Sequence, residues 1–349
     1  MPAAAHNPRR EILVFAYVVK RLLSGVVVLF LISMSVFLLF WYGPSEPAQT
    51  ICDNDTSNRC TPARLEVFRE NLGFNNPWYE EYGTFMKGVV AGREIQFGST
   101  TKFDCPAPCL GYSYRTKAPV FEEMKERMPA TFSVAIGGAF LYLTLGVPIG
   151  VAAARRRGTV ADKALVSSFL VVSSIPYYLF ALLTWLFLTI TWEIPFFSET
   201  GYYPITENPA KWFAGMALAW FALGAFGCTT YTRYSRGSMV EVLNEDYIRT
   251  AKAKGLRDNT VVYKHALRSA LVPVITIFGI EFGTLLAGTI FTERIFNIDG
   301  IGLWALQAVN QRDLPVVAAT AIFGAAVLII SNIIVDVIYS VLDPRVRLS

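Results

Sequence analysis

The stretch NEDYIRTAKAKGL, residues 244–256, is charged and helix-forming, yet it lies between two segments that are apolar enough to cross a membrane. Asn244 predicts the N-cap of a helix, and Gly255 suits the left-handed position after its last turn. Acidic residues in the first turn and basic residues in the last complement the helix macrodipole. These residues are Glu245, Asp246, Lys252 and Lys254. Because an isolated helix of about ten residues is marginal in water, this one needs a surface to dock on.

The surrounding chain has the composition of a membrane protein. Of its 349 residues, 53% are hydrophobic and 17% are charged, whereas soluble domains carry about 25% charged residues. Six apolar runs reach the roughly 20 residues that a bilayer core requires, and they do not alternate with polar residues, so we predict helices and not a barrel. The predicted spans cover residues 22–42, 128–154, 164–192, 212–232, 269–292 and 314–342.

Lysine and arginine residues mark one side of these spans. They are concentrated in segments 1–21, 155–163, 233–268 and 343–349, the last of which holds Arg345 and Arg347. These segments share a side if six spans alternate, and cytoplasmic loops carry the excess of Lys and Arg. We therefore expect both termini in the cytoplasm, and we interpret the net charge of +4 as a topology signal and not as nucleic-acid affinity. The first run has 21 residues, too long for a cleaved signal sequence, so we expect a retained span.

Segment 43–127 between the first two spans predicts a small extracytoplasmic subdomain, and segment 293–313 a second extracytoplasmic loop. TPARLEVFRENLG, residues 61–73, predicts a helix with Thr61 as N-cap and Gly73 as its stop. PWYEEYGTFMKGVVAG, residues 77–92, predicts another helix. SNRCTP and KFDCPAPCLGYSY, at residues 57–62 and 102–114, predict loops.

Four of the five cysteines lie in the first extracytoplasmic segment. An oxidising compartment favours disulfides, so we predict two. Four cysteines allow three connectivities; we favour the local pairs Cys52–Cys60 and Cys105–Cys109, with reduced thiols of no special role as the alternative.

A second helix is predicted after the charged stretch, from Asp258 as N-cap through NTVVYKHALRSAL, with Pro273 at the start of the fifth span. Its apolar face comprises Val261, Val262, Ala266 and Leu267. Within the spans, Pro148 and Pro176 predict kinks. Gly146 and Gly150 form a G-x-x-x-G that permits close helix contact, with ordinary packing as the alternative.

Two acidic residues fall within the predicted spans, Glu281 near the middle of the fifth and Asp336 near one end of the sixth. A carboxylate at membrane depth faces the bundle interior or a watery cavity. We consider two roles for Glu281: a translocation-pathway group that meets a peptide's amino terminus, or a protonated or paired structural group. For Asp336 we favour a structural pairing with a cytoplasmic arginine, and for Arg312 and Asp313 a role in seating a binding protein or bracing the external loop.

The charged stretch carries a family resemblance. EDYIRTAKAKGLRDNTVVYKHALRSALVPVIT, residues 245–276, resembles the coupling motif of binding-protein-dependent ABC importer permeases, in the form of the first subunit of the oligopeptide/dipeptide/nickel group. The family's pattern is Glu-Ala-Ala, followed after three further residues by Gly. In this chain the pattern falls on Arg249, Thr250, Ala251 and Gly255, and the first two residues depart from it in the way usual for the peptide group. Other resembling stretches run along nearly the whole chain, among them residues 18–40, 71–92, 146–162, 292–317 and 336–349. Segments 51–60 and 104–114 match poorly and look like cysteine-bearing insertions.

This resemblance implies an all-α integral membrane permease of the type I ABC importer kind, with its transport unit at about residues 125–342, in a bacterial cell membrane. It implies that the chain forms half of a heterodimeric pore with a homologous second permease, two ABC ATPases that bind ATP and Mg, and an extracytoplasmic solute-binding protein. It also implies that the ATPases dock on the coupling helix. The docking residues are Glu245, Asp246, Arg249, Thr250, Ala251, Ala253, Lys254, Gly255 and Leu256. The cargo implied is a peptide, with a nickel chelate, haem or glutathione as alternatives.

Other function classes fit the residues less well. The chain contains no Gly-Lys pair for a P-loop, no G-x-S-x-G elbow and only two histidines, His6 and His265, so we expect neither catalysis nor a metal or cofactor site in this chain. A helix-turn-helix DNA binder is disfavoured because both helices are tethered to membrane spans. A membrane-surface helix remains the simpler interpretation of the charged stretch. A stand-alone channel or secondary carrier is the alternative from another class, although no repeated halves are visible.

Overall fold

The computed structural model describes residues 8–42, 48–49, 52, 60–97 and 101–342. The ends of both predicted cytoplasmic termini, residues 1–7 and 343–349 with Arg345 and Arg347, lie outside the described residues, as do residues 57–59 of the predicted loop SNRCTP. The helices and strands are α1 (Pro8–Trp41), α2 (Pro62–Asn71), α3 (Trp78–Ala91), β1 (Arg93–Phe97), β2 (Thr101–Cys105), α4 (Val120–Arg155), α5 (Val160–Ser174), α6 (Tyr177–Thr191), α7 (Pro209–Leu243), α8 (Asp246–Ala253), α9 (Asp258–Ala287), α10 (Ile290–Ile295), α11 (Ile301–Gln311) and α12 (Leu314–Leu342).

The predicted helical membrane class is confirmed. Within the described chain, five helices are long and apolar enough to cross a membrane, namely α1 from Val19 onward, α4, α7, α9 and α12. The pair α5 and α6 provides a sixth if the two helices form one bent span. Each of the six apolar runs of the sequence therefore corresponds to one of these helices or to the bent pair.

The segment predicted as the third span, residues 164–192, is not one straight helix. α5 ends at Ser174, α6 begins at Tyr177, and the two helices are bent by 95°. Pro176 lies at the break, where it lacks the N–H that would continue the helix and disfavours helical backbone at Ile175. Ile175 is accordingly extended, with φ −79° and ψ 132°. The kink predicted at Pro176 is thus a full break, whereas α4 continues through Pro148.

The second predicted helix and the fifth predicted span are one helix, α9. Its N-cap is Arg257 and not Asp258, because Arg257 is the last residue with extended backbone. Residues Val261–Ala266 form a π-helical turn that leads into the rest of α9, so Pro273 lies inside the helix and not at its start. The helix ends at Ala287 instead of residue 292 because Gly288, with φ 141°, leaves helical backbone. The predicted loop 293–313 contains α11 and the end of α10.

The chain divides into two compact units, and the first comprises Met1–Leu23, Ala130–Asp299 and Leu328–Ser349. Its centre is the contact between α4 and α7, where a Cβ added at Gly146 would lie 3.1 Å from the carbonyl oxygen of Cys228. At Gly150 the same atom would lie 2.5 Å from the carbonyl oxygen of Thr232. The close helix contact predicted from the G-x-x-x-G is therefore confirmed. The hydroxyl of Thr232 also donates to the carbonyl of Gly146 at 3.1 Å.

The second unit comprises Ser24–Pro129 and Gly300–Val327. Its two predicted helices are confirmed as α2 and α3, with Gly73 at φ 77° after α2. The loop predicted for KFDC is wrong: these residues form β2, which pairs antiparallel with β1 so that Ile95 lies opposite Phe103. Both side chains pack against a core that contains Phe68 and Tyr112, which is why this short hairpin is stable here.

Two disulfides join residues of the second unit. Cys52 is bonded to Cys60 and Cys105 to Cys109, each across a short stretch of chain. Asp313, directly before α12, accepts hydrogen bonds from the hydroxyl of Ser113, from the amide of Tyr114 at 3.1 Å and from the amide of Arg115 at 3.4 Å. The bracing role predicted for Asp313 is therefore confirmed within this unit.

Candidate functional site

The first end of α8 differs from its prediction. Asn244 does not cap α8; it ends α7, and its amide donates to the carbonyl of Glu241 at 3.0 Å. Glu245, with extended backbone, occupies the N-cap position but makes no capping bond through its side chain. The reason is that α7 continues to Leu243, so only Asn244 and Glu245 separate the two helices. The resulting helix has 8 residues.

The other end of α8 agrees with the sequence. Gly255 adopts φ 76°, the left-handed conformation that glycine adopts without a steric penalty. Its amide donates to the carbonyl of Lys252 at 2.9 Å, and the amide of Leu256 donates to that of Ala251 at 3.4 Å. A Cβ added at Gly255 would have no neighbour within 4 Å. The space in front of this residue is open, so another surface can approach the backbone closely.

One face of α8 is anchored to the first unit. Ile248 is completely buried and Ala251 is 8% exposed. They pack with Met239 of α7 and with Val261 and Val262 in the π-helical turn of α9. The predicted apolar face of the second helix is thus the surface that receives α8. Ala251 was predicted to contact a partner, but this residue contacts the protein's own core.

The remaining predicted docking residues lie together on the opposite side. We call the following residues the exposed face of α8: Glu245, Asp246, Arg249, Thr250, Ala253, Lys254, Gly255 and Leu256. The side chains of Asp246 and Arg249 are 96% and 70% exposed and are 3.4 Å apart. Since an exposed pair of this kind contributes at most about 1 kcal/mol to stability, both charges are available to a binding partner.

Two further contacts fasten the helices around α8. The guanidinium of Arg155, at the end of α4, donates to the side-chain oxygen of Asn259 in α9 at 3.1 Å. The hydroxyls of Tyr247 and Ser269 are 3.2 Å apart and link α8 to α9. Displacement of α8 would therefore act directly on α7 and α9, which α8 contacts. It would act on α4 through the contact between α4 and α9.

An ion pair between α5 and α7 was not foreseen from the sequence. Arg236 binds both carboxylate oxygens of Asp162, at 2.6 and 2.7 Å. The amide of Gly158 also donates to Asp162, which is 3% exposed. Thr159 accepts from the amide of Asp162. The pattern Thr-x-x-Asp at the start of α5 is a capping signal that could have identified Asp162 as a structural residue.

The charges inside the predicted spans have local partners. The hydroxyl of Tyr231 in α7 donates to Glu281 at 2.7 Å, and the Tyr231 ring stacks on Tyr142 with centroids 4.5 Å apart. Asp336 forms an ion pair with Arg21 at 3.3 Å, which confirms the predicted pairing with an arginine. Contact with Tyr231 agrees with the structural alternative for Glu281.

Glu293, at the start of α10, is a second carboxylate that the sequence did not reveal as special. It is completely buried and accepts hydrogen bonds from the hydroxyl of Thr131 at 2.9 Å and from the amide and hydroxyl of Thr289 at 3.3 Å. These bonds join the start of α10 to α4. Within the described residues no group of three His, Cys, Asp or Glu side chains could hold a metal ion.

Comparison with known proteins identifies two families along the chain. The family described as "binding-protein-dependent transport system inner membrane component" matches residues 146–348. The corresponding N-terminal family of transport system membrane components matches residues 14–135. Together the two matches cover both compact units and include α8 and its neighbours.

Several curated proteins are similar over most of their length. The dipeptide transport system permease protein DppB of Alkalihalophilus pseudofirmus is 33% identical over 350 residues, covering 95% of this chain and 99% of that protein. The probable peptide ABC transporter permease protein y4tP of Sinorhizobium fredii is 30% identical over 95% of this chain and 99% of that protein. The DppB protein of Escherichia coli is 33% identical over 82% of this chain and 86% of that protein.

Proposed function

The chain belongs to the family of binding-protein-dependent transport system inner membrane components, and from that premise we propose that it is a permease subunit of an ATP-driven peptide importer. In this proposal it forms half of the translocation pathway and transmits the work of separate ATPase subunits through α8. As a member of this family it is a multi-pass inner-membrane permease component of an ABC transporter and not the catalytic one. The identity of the cargo and the way force is transmitted belong to the proposal.

The observation that carries the proposal is the two-sided character of α8. Ile248 and Ala251 hold it against α7 and α9, while its charged residues and the open space at Gly255 lie on the other side. A helix of this length gains little stability by itself. Because α8 is anchored on one side and exposes charged residues on the other, a partner that binds the exposed face of α8 would also move the long helices to which α8 is anchored.

The complex that we propose contains four other proteins and lies in the lipid bilayer. A homologous second permease supplies the other half of the pore, two ABC ATPases bind ATP with Mg, and an extracytoplasmic solute-binding protein delivers the cargo. Closure of the ATPases on ATP would move α8 and shift the permease pair between inward- and outward-facing states.

The orientation proposed follows the basic residues. If six spans alternate, one side of the membrane carries Arg155, Arg156, Arg157 and the basic residues of segment 233–268. The positive-inside rule assigns that side to the cytoplasm. Both termini are then cytoplasmic, and both disulfides lie on the opposite, oxidising side. The location proposed is the inner membrane of a bacterial cell.

A peptide is the cargo that we favour, because the similar proteins are named as dipeptide or peptide permeases. A nickel chelate, haem or glutathione would use the same kind of complex. We further propose that Glu281 lines the pathway, where it could attract the amino terminus of a peptide. In that case Glu281→Gln would reduce uptake of peptides with a free amino terminus but not of amino-acetylated ones, whereas a purely structural role would affect both equally.

The substitution Gly255→Arg tests the docking role of α8. An added Cβ has no neighbour within 4 Å, so the new side chain extends from an open position toward a partner, and its cost within this chain is the backbone strain of a positive φ. We expect uptake by the complete complex to fall more than about tenfold, equivalent to about 1.4 kcal/mol of lost docking free energy, while the subunit stays in the membrane at its normal level. Wild-type uptake by this variant would refute the proposed coupling.

Gly158→Arg is the matched control. Gly158 also has a left-handed backbone, at φ 85°, and open space around an added Cβ. The backbone strain and the added charge are therefore the same as at Gly255. Equal loss of uptake in both variants would show that strain or charge, and not docking, is responsible.

Isolation of the complex separates this function from the channel or carrier alternative. The chain is extracted from its native membrane in mild detergent, and the proteins that accompany it are identified by mass spectrometry. We expect a second permease, ATPases with Walker motifs and a binding protein. Recovery of the chain alone, under conditions that hold known transporter complexes together, would favour the channel or carrier.

A further inference from the structure

The second unit encloses a cavity of about 390 Å³ to which no role has been assigned above. Its walls come from α1, from the end of α2 with the segment that follows it, from α3, from β1, from residues 110–114 and from the start of α12. One side is apolar and aromatic, with Phe37, Trp41, Phe74, Leu314 and Ile322. The other carries charged side chains of the part of the second unit that lies between α1 and α4, which we call the loop subdomain, so the cavity is amphipathic.

The apolar side extends along two helices that qualify as membrane spans. The cavity reaches from Trp41 to Ser33 in α1 and from Leu314 to Ile322 in α12. Eight residues of helix correspond to about 12 Å at 1.5 Å per residue. The apolar wall thus follows the end of both spans over a depth that lies within one leaflet of a bilayer with a core of about 30 Å.

The polar side contains an arginine, Arg93, whose Nε lacks a hydrogen-bonding partner among the described residues. Arg93 of β1 packs across Gly88, where an added Cβ would lie 2.8 Å from its Cδ, and its guanidinium lies 5.7 Å from the centre of the Phe85 ring. The Nε of Arg93 is buried, and its N–H donates to no atom of the described residues. Burial lowers the pKa of the Arg93 guanidinium, while Tyr114 and Glu81 act in the opposite direction. A buried cation of this kind is stabilised by an anion.

Acidic side chains line the same cavity. They are Glu70, Glu81 and Glu94. Glu81 accepts a hydrogen bond from the side chain of Asn76 at 2.8 Å, and Glu94 lies 3.6 Å from Lys102 in a pair whose side chains are each 66% exposed. The cavity therefore offers one guanidinium and several carboxylates, which suits a ligand that carries both a negative and a positive charge.

We propose that this cavity binds one zwitterionic phospholipid of the surrounding membrane, of the phosphatidylethanolamine type. The phosphate is bound by Arg93, the ammonium group faces the carboxylates, and the first part of an acyl chain lies along α1 and α12. Aromatic residues at the ends of membrane spans favour the level of lipid head groups, which agrees with Trp41, the last residue of α1, in the lining. The lipid would connect the loop subdomain to the bilayer.

The test measures the lipid that remains bound to the purified complex. The complex is reconstituted in nanodiscs with equal parts of phosphatidylethanolamine and phosphatidylglycerol and then extracted into mild detergent, and retained lipid is quantified by mass spectrometry. We expect wild-type protein to retain phosphatidylethanolamine in preference to phosphatidylglycerol. Arg93→Gln should retain about tenfold less, since charge-assisted hydrogen bonds are lost. Arg64→Gln, an exposed arginine of α2, should retain the wild-type amount.

A second pair of variants tests the acyl-chain part of the cavity and does not depend on Arg93. Ala318 of α12 lines the cavity, so Ala318→Phe should fill it and reduce retention, whereas Ala321→Phe on the exposed side of the same helix should not. Unchanged retention in both Arg93→Gln and Ala318→Phe would overturn the proposal. Equal retention of the two lipids by wild-type protein would also overturn it. So would a dipeptide that binds to delipidated protein in place of lipid, if Ala318→Phe abolishes that binding.

Discussion

The α8 segment and the loop subdomain of the second unit are both hydrophilic stretches between apolar helices, but they are stabilised differently. The buried side of α8 packs on residues that lie between Val151 and Ala270 in the sequence. The loop subdomain is fastened by Asp313, which bonds Ser113 from 200 positions away. Helices could be recognised from local sequence in both regions, but the fastening of the loop subdomain depends on a long-range pairing that no local pattern contains.

The two regions also differ in what they leave unused. α8 buries two residues and leaves a charged face free, as expected for a surface that works by contact with a partner. The loop subdomain turns its aromatic side chains and Arg93 inward around a cavity. The first region is thus suited to a protein partner and the second to a small amphipathic ligand. Three substitutions test this contrast.

The largest effect is expected at the anchor of α8. Ile248→Ala removes a completely buried side chain, and a change of this kind costs about 2–5 kcal/mol. Because α8 has few other buried contacts, we expect it to detach, so that amide hydrogen exchange of residues 246–253 accelerates and uptake is lost. Exchange in the loop subdomain should not change. Slow exchange across α8 in this variant would mean that the exposed face contributes to the fold.

An intermediate effect is expected at the brace of the loop subdomain. Asp313→Ala leaves the hydroxyl of Ser113 and the amides of Tyr114 and Arg115 without their acceptor. Loss of hydrogen bonds to a charged group costs about 1.5–3 kcal/mol, so proteolysis of the loop near residue 114 should accelerate while α8 stays protected. Asp104→Ala, at an exposed position of β2, serves as control. Equal proteolysis of the two variants would contradict the bracing role.

The smallest effect on stability is expected on the exposed face of α8. Leu256 is 40% exposed, and Leu256→Ala should change the free energy of unfolding by less than about 0.5 kcal/mol. Binding of the ATPase subunits, measured by how much of them is purified together with the permease, should nevertheless weaken. If stability falls and ATPase binding is unchanged, Leu256 serves the fold and not docking.

The sequence predicted α8 well at one end and poorly at the other. Gly255 could be identified because only glycine adopts its backbone angle without strain. Asn244 was misassigned because it is a good cap by type, but whether it ends one helix or begins the next depends on how far α7 continues. The same reasoning explains Asp258, where the cap position shifted by one residue to Arg257.

Contacts between distant residues escaped prediction for a common reason. Asp162 and Arg236 are separated by 74 positions, and Thr131 and Glu293 by 162. Neither pair has a spacing that signals contact. The cavity around Arg93 is of the same kind, because its walls come from six separate segments of the chain.

The sequence by itself determined the class of this protein: runs of apolar residues long enough for a bilayer, basic residues grouped between them, and a short charged helix with glycine at its end. These are local properties, since each depends on hydropathy, charge or backbone freedom within a few turns. The tertiary structure alone decided that the chain bends at Pro176 by as much as 95°, that Ala251 faces inward and that Arg93 faces a cavity. Burial and pairing depend on which distant side chains share a space, and packing, not local propensity, selects those neighbours.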